Sequence, residues 1–235
     1  MSLRRVKPAS TSANGPAPIR SLLKNRAYEL IKQRLLNNDY RPGSFLSERQ
    51  LAEELGMSKT PVKAALERLE AEGFISVSPQ QGIVVRELSV HEIADQYQIR
   101  AALESYAVRT VAGRLTADQV ARARANLEAQ ARLRGTGDVA AGVQLDTEFH
   151  TQFIEFLGNR EILRVVGQLR EKMQQLVTQV FRLCPARMDT SHEEHTAIAA
   201  AVISGNGNDA AEVLIRHLEA GKQLLLSPRG RTSTG

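Results

Sequence analysis

Residues 47–63, SERQLAEELGMSKTPVK, decide how the rest of the chain is read. Ser47 with Gln50 three places on has the form of a capping box, so a helix starts at about Ser47. Leu51, Ala52 and Leu55 make its apolar stripe, and Gly56 follows where a left-handed residue ends a helix most readily. Ser58 is placed to cap a second helix. Pro61 falls in its first turn, where the missing N–H is harmless, and Val62, Ala65, Leu66 and Leu69 form the apolar face up to Gly73. Two short helices joined at a tight turn, the second opening with Ser58, Lys59, Thr60 and Lys63 pointing outward, are the layout of a helix that reads DNA. The same spacing also suits an ordinary solvated helix start.

The flanking sequence extends the unit. Phe74–Val77 (FISV) and Ile83–Val85 (IVV) flank Pro79-Gln80-Gln81-Gly82 and predict a hairpin. Ser21–Asn37 predicts an amphipathic helix with Leu23, Ala27, Leu30, Ile31 and Leu35 on one side, turned back by Arg41-Pro42-Gly43. With these residues in view, Leu46–Val85 resembles the N-terminal winged helix-turn-helix of GntR-type bacterial transcription regulators. The resemblance implies that Arg49, Ser58, Lys59, Thr60 and Lys63 contact operator DNA and that Gly82 lets the wing tip approach the minor groove. Lys59 and Lys63 stand where that family usually has arginine. Lysine keeps the charge but lacks the planar fork that reads guanine O6 and N7 together.

Charge segregates along the chain. Residues 1–86 carry 14 Lys or Arg against 8 Asp or Glu, a net of +6, and residues 87–235 carry 17 against 18, a net of −1. That is the distribution expected when one module meets phosphates and the other does not. Residues 1–18, rich in Ser, Ala, Pro and Gly, are expected to be a disordered basic tail, and residues 229–235 a second disordered tail. No apolar run suggests a membrane span or a signal peptide, and a lone Cys184 leaves no internal disulfide, so the expectation is a cytoplasmic protein without a membrane partner.

A winged unit over residues 19–87 is expected to give way to an all-helical domain over residues 88–228, so the fold class is mainly α. Ser89 with Glu92 and Thr116 with Gln119 are capping boxes, and Asp138 and Asn208 are further cap candidates. Helices are predicted over 90–114, 117–134, 139–157, 160–183, 189–204 and 208–226, forming an antiparallel bundle of six.

Asp146 and His150 lie four apart and so share a helix face. Leu145, Phe149, Phe153 and Ile154 around them predict burial, where a carboxylate needs a partner. His195 and His217 lie on two later helices and can face the same interior. Three imidazoles and a carboxylate suit a divalent ion (Zn, Ni, Mn or Fe) with open coordination positions. Buried histidines can equally hydrogen-bond one another or a carbonyl.

Residues 89–226 are similar to the FCD effector domain of the FadR branch of the GntR family, in IRAALE from Ile99, LDTEFHTQFIEFLGN from Leu145, EEHTAIAAAV from Glu193 and LIRHLEAG from Leu214. The resemblance implies that Asp146, His150, His195 and His217 hold a metal and that Arg100 contacts an acidic effector. A helix salt bridge from Arg100 to Glu104 is the competing role. His192 and His91 fall outside that pattern and are expected at helix-start surfaces. The function these features imply is a DNA-binding transcriptional regulator, a repressor by expectation. Two copies would read a palindromic operator in double-stranded DNA, and a small organic acid at the metal site would modulate binding. A metal-dependent hydrolase, with Glu193 or Glu194 as base, and an architectural DNA-binding protein with a structural metal are the alternatives.

Overall fold

The computed structural model describes residues 19–78 and 82–227. Both expected tails and Pro79, Gln80 and Gln81 of the expected hairpin turn lie outside the described residues. The front of the chain builds α1 (Ile19–Leu36), β1 (Phe45–Leu46), α2 (Glu48–Leu55), α3 (Lys59–Ala71), β2 (Ile75–Ser78) and β3 (Gly82–Val85). The strands form an antiparallel sheet in the order β1-β3-β2, with Phe45 opposite Val84 and Ile75 opposite Val85. Strand β1 was not expected from sequence.

Ser47 caps α2 by accepting from the Gln50 N–H at 3.1 Å. The expected box is only half made, because the Gln50 amide donates forward to Glu54 instead. Gly56 ends α2 with φ +60, a conformation costly for residues with a Cβ. Ser58 sits at the N-cap of α3, but its hydroxyl caps nothing. The expected stripe on α1 is corrected: Leu23 and Leu30 are exposed, and the buried face is Ala27, Tyr28, Ile31, Lys32, Leu35 and Leu36. The two i, i+4 rows 27-31-35 and 28-32-36 meet α3, which turns Leu23 and Leu30 off the seam. One apolar core joins this α1 face to Leu51, Val62, Leu66, Leu69, Ile75 and Val85.

Six helices follow: α4 (Val90–Val111), α5 (Ala117–Arg132), α6 (Val139–Leu157), α7 (Arg160–Leu183), α8 (Arg187–Ser204) and α9 (Gly207–Leu226). The Ser89–Glu92 and Thr116–Gln119 boxes form in full, and Asp138 caps α6. The last cap is Asn206 rather than Asn208. A second core gathers Val108, Phe149, Phe153, Leu176, Val180, Ile198, Val202 and Leu214 from all of these helices but α5. Helix α4 packs along α9, and α8 lies beside α9, which brings the polar faces of α4, α6, α8 and α9 together. The front unit touches the bundle through α1 and α7. Lys32 meets Glu171 at 2.6 Å, and Arg182 meets Asp39 at 3.4 Å. No described helix is long and apolar enough to cross a membrane.

Candidate metal centre and nucleic-acid interface

At the front, Arg49, Ser58, Lys59, Thr60, Lys63 and Gly82 are all exposed. Four of them cluster on the first turns of α3, opposite its buried Val62, Ala65, Leu66 and Leu69. The backbone N–H groups of that helix start, with Lys59 and Lys63 beside them, form a surface that attracts phosphate. The uncommitted Ser58 hydroxyl is available to an external partner.

In the bundle, α6 presents Asp146 and His150, α8 presents His195, and α9 presents His217, all buried. One ligand atom from each lies within 4.8 Å of the others. The Nε2 atoms of His150 and His217 are 3.1 Å apart, and those of His195 and His217 are 3.4 Å apart. Asp146 stands slightly farther off, 3.7 Å from His195 Nε2 and 4.0 Å from His150 Nε2. Ligand bonds of about 2.1 Å at tetrahedral to octahedral angles put neighbouring ligand atoms about 3.0–3.4 Å apart. The two spacings to His217 Nε2 are therefore those of an ion's coordination shell.

Each histidine is held from outside by its Nδ1. His150 faces Glu104 Oε2 at 2.7 Å, a close ion-pair distance although off the line of an ideal hydrogen bond. His195 meets Gln130 Oε1 at 2.9 Å, and its ring stacks on Phe149 with centroids 4.0 Å apart. His217 meets Glu194 Oε2 at 2.6 Å. A carboxylate or amide oxygen faces each Nδ1, an environment that favours the proton there and turns the Nε2 lone pairs inward, although Arg187 Nη2 also approaches His217 Nδ1, at 3.1 Å. With all three protons on Nδ1, a cation at the centre would relieve the repulsion between the Nε2 lone pairs. The donor set fits a divalent ion, and the 3.1 and 3.4 Å Nε2 contacts are also the lengths of hydrogen bonds between histidines. Burial, and then the neighbouring His217 and His150, hold the His195 imidazole well below its ordinary value. Burial also lowers His217, to about 4, against the pull of Glu194. Both are neutral and ready to ligate near neutral pH.

Two cavities adjoin this cage and share Asp146, Phe181 and Ser191. The one between α4, α7 and α9 is open to solvent and is lined by Tyr97, Arg100, Val177, Arg187 and His217. Arg100 lines it and donates its Nε to Glu104 at 2.8 Å, so the helix ion pair is made while the side chain still borders the cavity. Burial raises the Glu104 carboxyl, but Arg100 and His150 outweigh it and hold the group at about 2. Glu194 is likewise held at about 2, burial being outweighed by hydrogen bonds from His217 and Arg187.

Sequence reasoning missed Gln130 and Arg187, and it gave Glu104 and Glu194 other roles. The only local signals were the Arg100–Glu104 spacing and the adjacency of Glu194 to His195. His91 is exposed as expected, whereas His192 is half-buried with no partner for its Nδ1.

Residues 23–85 match the family described as bacterial regulatory proteins, gntR family, and residues 95–220 match the FCD domain. The Nta operon transcriptional regulator of Aminobacter aminovorans is 31% identical over 77% of this chain and 83% of its own length. The "Probable D-xylose utilization operon transcriptional repressor" of Paenarthrobacter nicotinovorans is 28% identical over 76% of this chain and 77% of its own. The Escherichia coli McbR/YncC structure superposes with a TM-score of 0.69 over 87% of this chain and 97% of that one, at 24% identity, a likeness of fold. These matches make the chain a transcriptional regulator with a DNA-binding front unit, not an enzyme.

Proposed function

Because the chain belongs to the GntR family of bacterial regulatory proteins and carries an FCD domain, we propose that it is a repressor whose grip on operator DNA responds to a small carboxylate held beside a metal ion. The observation that carries this reading is the convergence of three outward-anchored Nε2 atoms and Asp146 next to a cavity walled by two arginines. Asp146, His150, His195 and His217 would hold the ion. When bound, the ion supplies positive charge and open coordination positions that favour a carboxylate.

The chain's own residues do the rest. Glu104, Gln130 and Glu194 orient the imidazoles, and Arg100 offers guanidinium N–H groups to an acid. Burial keeps Tyr97 protonated, its pKa raised to about 12, so its hydroxyl is available as a donor. Val177 and Phe181 line the cavity with apolar surface. Both lie on α7, which also carries the Glu171 and Arg182 contacts to the front unit. A change at the cavity therefore has a rigid element through which to reach α1 and, across the α1–α3 packing, the DNA-reading helix. Coupling of this kind is typically worth about 1–3 kcal/mol, or roughly 5- to 150-fold in DNA affinity.

On this reading residues 19–87 are the DNA-binding domain, and residues 88–228 are the ligand-binding and dimerisation domain. Arg49, Ser58, Lys59, Thr60, Lys63 and Gly82 contact DNA, two copies read a two-fold operator, and the protein works in the cytoplasm. Fluorescence anisotropy with a fragment from upstream of the chain's own gene, using zinc-loaded protein and a panel of small organic acids, tests this. At least one acid should change the dissociation constant several-fold or more. Retention of the fragment with no response to any acid supports the architectural reading instead.

A further inference from the structure

Two chains of ionic contacts run from one cavity wall into the histidine cage. Arg100 donates to Glu104 Oε1 at 2.8 Å, and Glu104 Oε2 faces His150 Nδ1 at 2.7 Å. Arg187 Nη2 donates to Glu194 Oε2 at 2.6 Å, and the same oxygen meets His217 Nδ1 at 2.6 Å. Each glutamate is thus divided between one arginine and one histidine. His195 has only the uncharged Gln130. Both arginines are more than nine-tenths buried, and both line the cavity between α4, α7 and α9.

Neither guanidinium is saturated. Among the described residues Arg100 gives only its Nε to a side chain, and Arg187 engages only Nη2, which meets Glu194, the His217 backbone oxygen at 3.0 Å and His217 Nδ1 at 3.1 Å. A buried guanidinium with free N–H groups is a standing attraction for an anion.

We propose that Arg187 and Arg100 are positioning residues that set the ion affinity of the cage through Glu194 and Glu104, so that an anion in the cavity and an ion in the cage strengthen each other's binding. The inference rests on reading Asp146, His150, His195 and His217 as ion ligands. A guanidinium weakens the cage in two ways: it places positive charge beside a cation site, and it draws on the carboxylate that steadies the imidazole. An anion that takes the free N–H groups cancels that charge and leaves the glutamate to the histidine. Reciprocity then requires the ion to tighten anion binding by the same factor. The linkage operates whether or not the anion itself touches the ion.

The test is the zinc dissociation constant of the full chain at pH 7.5, by competition with a chromophoric chelator. Glu194→Gln should raise it about 10- to 100-fold, as loss of an outer-shell carboxylate does. Arg187→Gln should move it the other way, to tighter binding, and Arg187→Lys, which keeps the charge, should stay near wild type. A residue that merely packs the site would weaken zinc when removed, just as Glu194→Gln does. Arg187→Gln weakening zinc tenfold or more overturns the relay. If Arg187→Gln does not fold, Arg187→Lys carries the test with wild-type protein in acetate. The relay predicts that acetate tightens zinc in wild type, and no acetate effect overturns it. Wild-type protein that takes up no zinc would overturn the reading of the cage itself, which is a separate result.

Discussion

Asp146→Asn separates a ligand from a structural carboxylate, because the exchange keeps the volume and removes only the charge. Asp146 is buried, 3.7 Å from His195 Nε2 and 4.0 Å from His150 Nε2, both beyond hydrogen-bond length. In chelator-stripped protein a buried carboxylate without close donors is a burden, so the variant should melt at the wild-type temperature or above it. With zinc at a thousand times its dissociation constant, wild type should gain about 4 kcal/mol, or roughly 8–16 °C for a chain of this size. A hundredfold loss of affinity leaves about 1.4 kcal/mol at the same zinc concentration, or roughly 3–6 °C. Differential scanning calorimetry with and without zinc measures both terms. Equal zinc-dependent shifts in the variant and wild type would refute the assignment of Asp146 to the cage.

Lys59→Ala and Lys63→Ala should each flatten the log–log salt dependence of DNA binding by about one unit for every phosphate that the lysine neutralises. An unchanged slope in anisotropy titrations would remove that residue from the interface. At the junction of the two units, Lys32 is buried against Tyr28, Glu72 and Glu171, whereas the Glu171 side chain is 46% exposed. Urea denaturation should therefore show Lys32→Met costing on the order of 1–3 kcal/mol and Glu171→Gln less than about 1 kcal/mol. Metal-free protein should lose stability as pH falls from 6.5 toward 4, because His217 is held at about 4 when folded and takes up its proton near 6.5 when unfolded. That gap is worth about 3 kcal/mol, present above pH 6.5 and lost below it. The carboxylates Glu104 and Glu194, held at about 2, add a further loss only below about pH 4.5. A stability flat between pH 6.5 and 4.5 would show that His217 is not buried as described.

What was legible in the sequence was local. The boxes at Ser89–Glu92 and Thr116–Gln119, the Gly56 stop and the i, i+4 pair Asp146–His150 each involve residues within one turn, so their chemistry is set before the chain folds. Strand β1 is two residues long and exists only because Phe45 and Leu46 pair with Val84 and Ile83. No local pattern encodes that. Leu23 and Leu30 misled because apolar spacing fixes a stripe only to within a residue or so, and the partner helix chooses which row is buried. The outer shell of the cage was hidden for the same reason. Gln130, Arg187 and Glu194 reach His195 and His217 across helix pairs, and only packing brings them there.

The claim on which the account rests is that the bundle cages an ion on Asp146, His150, His195 and His217. Elemental analysis of the purified full chain, beside a His150→Ala/His217→Ala double variant, tests it most directly. The account predicts close to one equivalent of a divalent first-row metal per chain in wild type and almost none in the variant. Equal metal content in the two, or none in either after incubation with zinc, would contradict it.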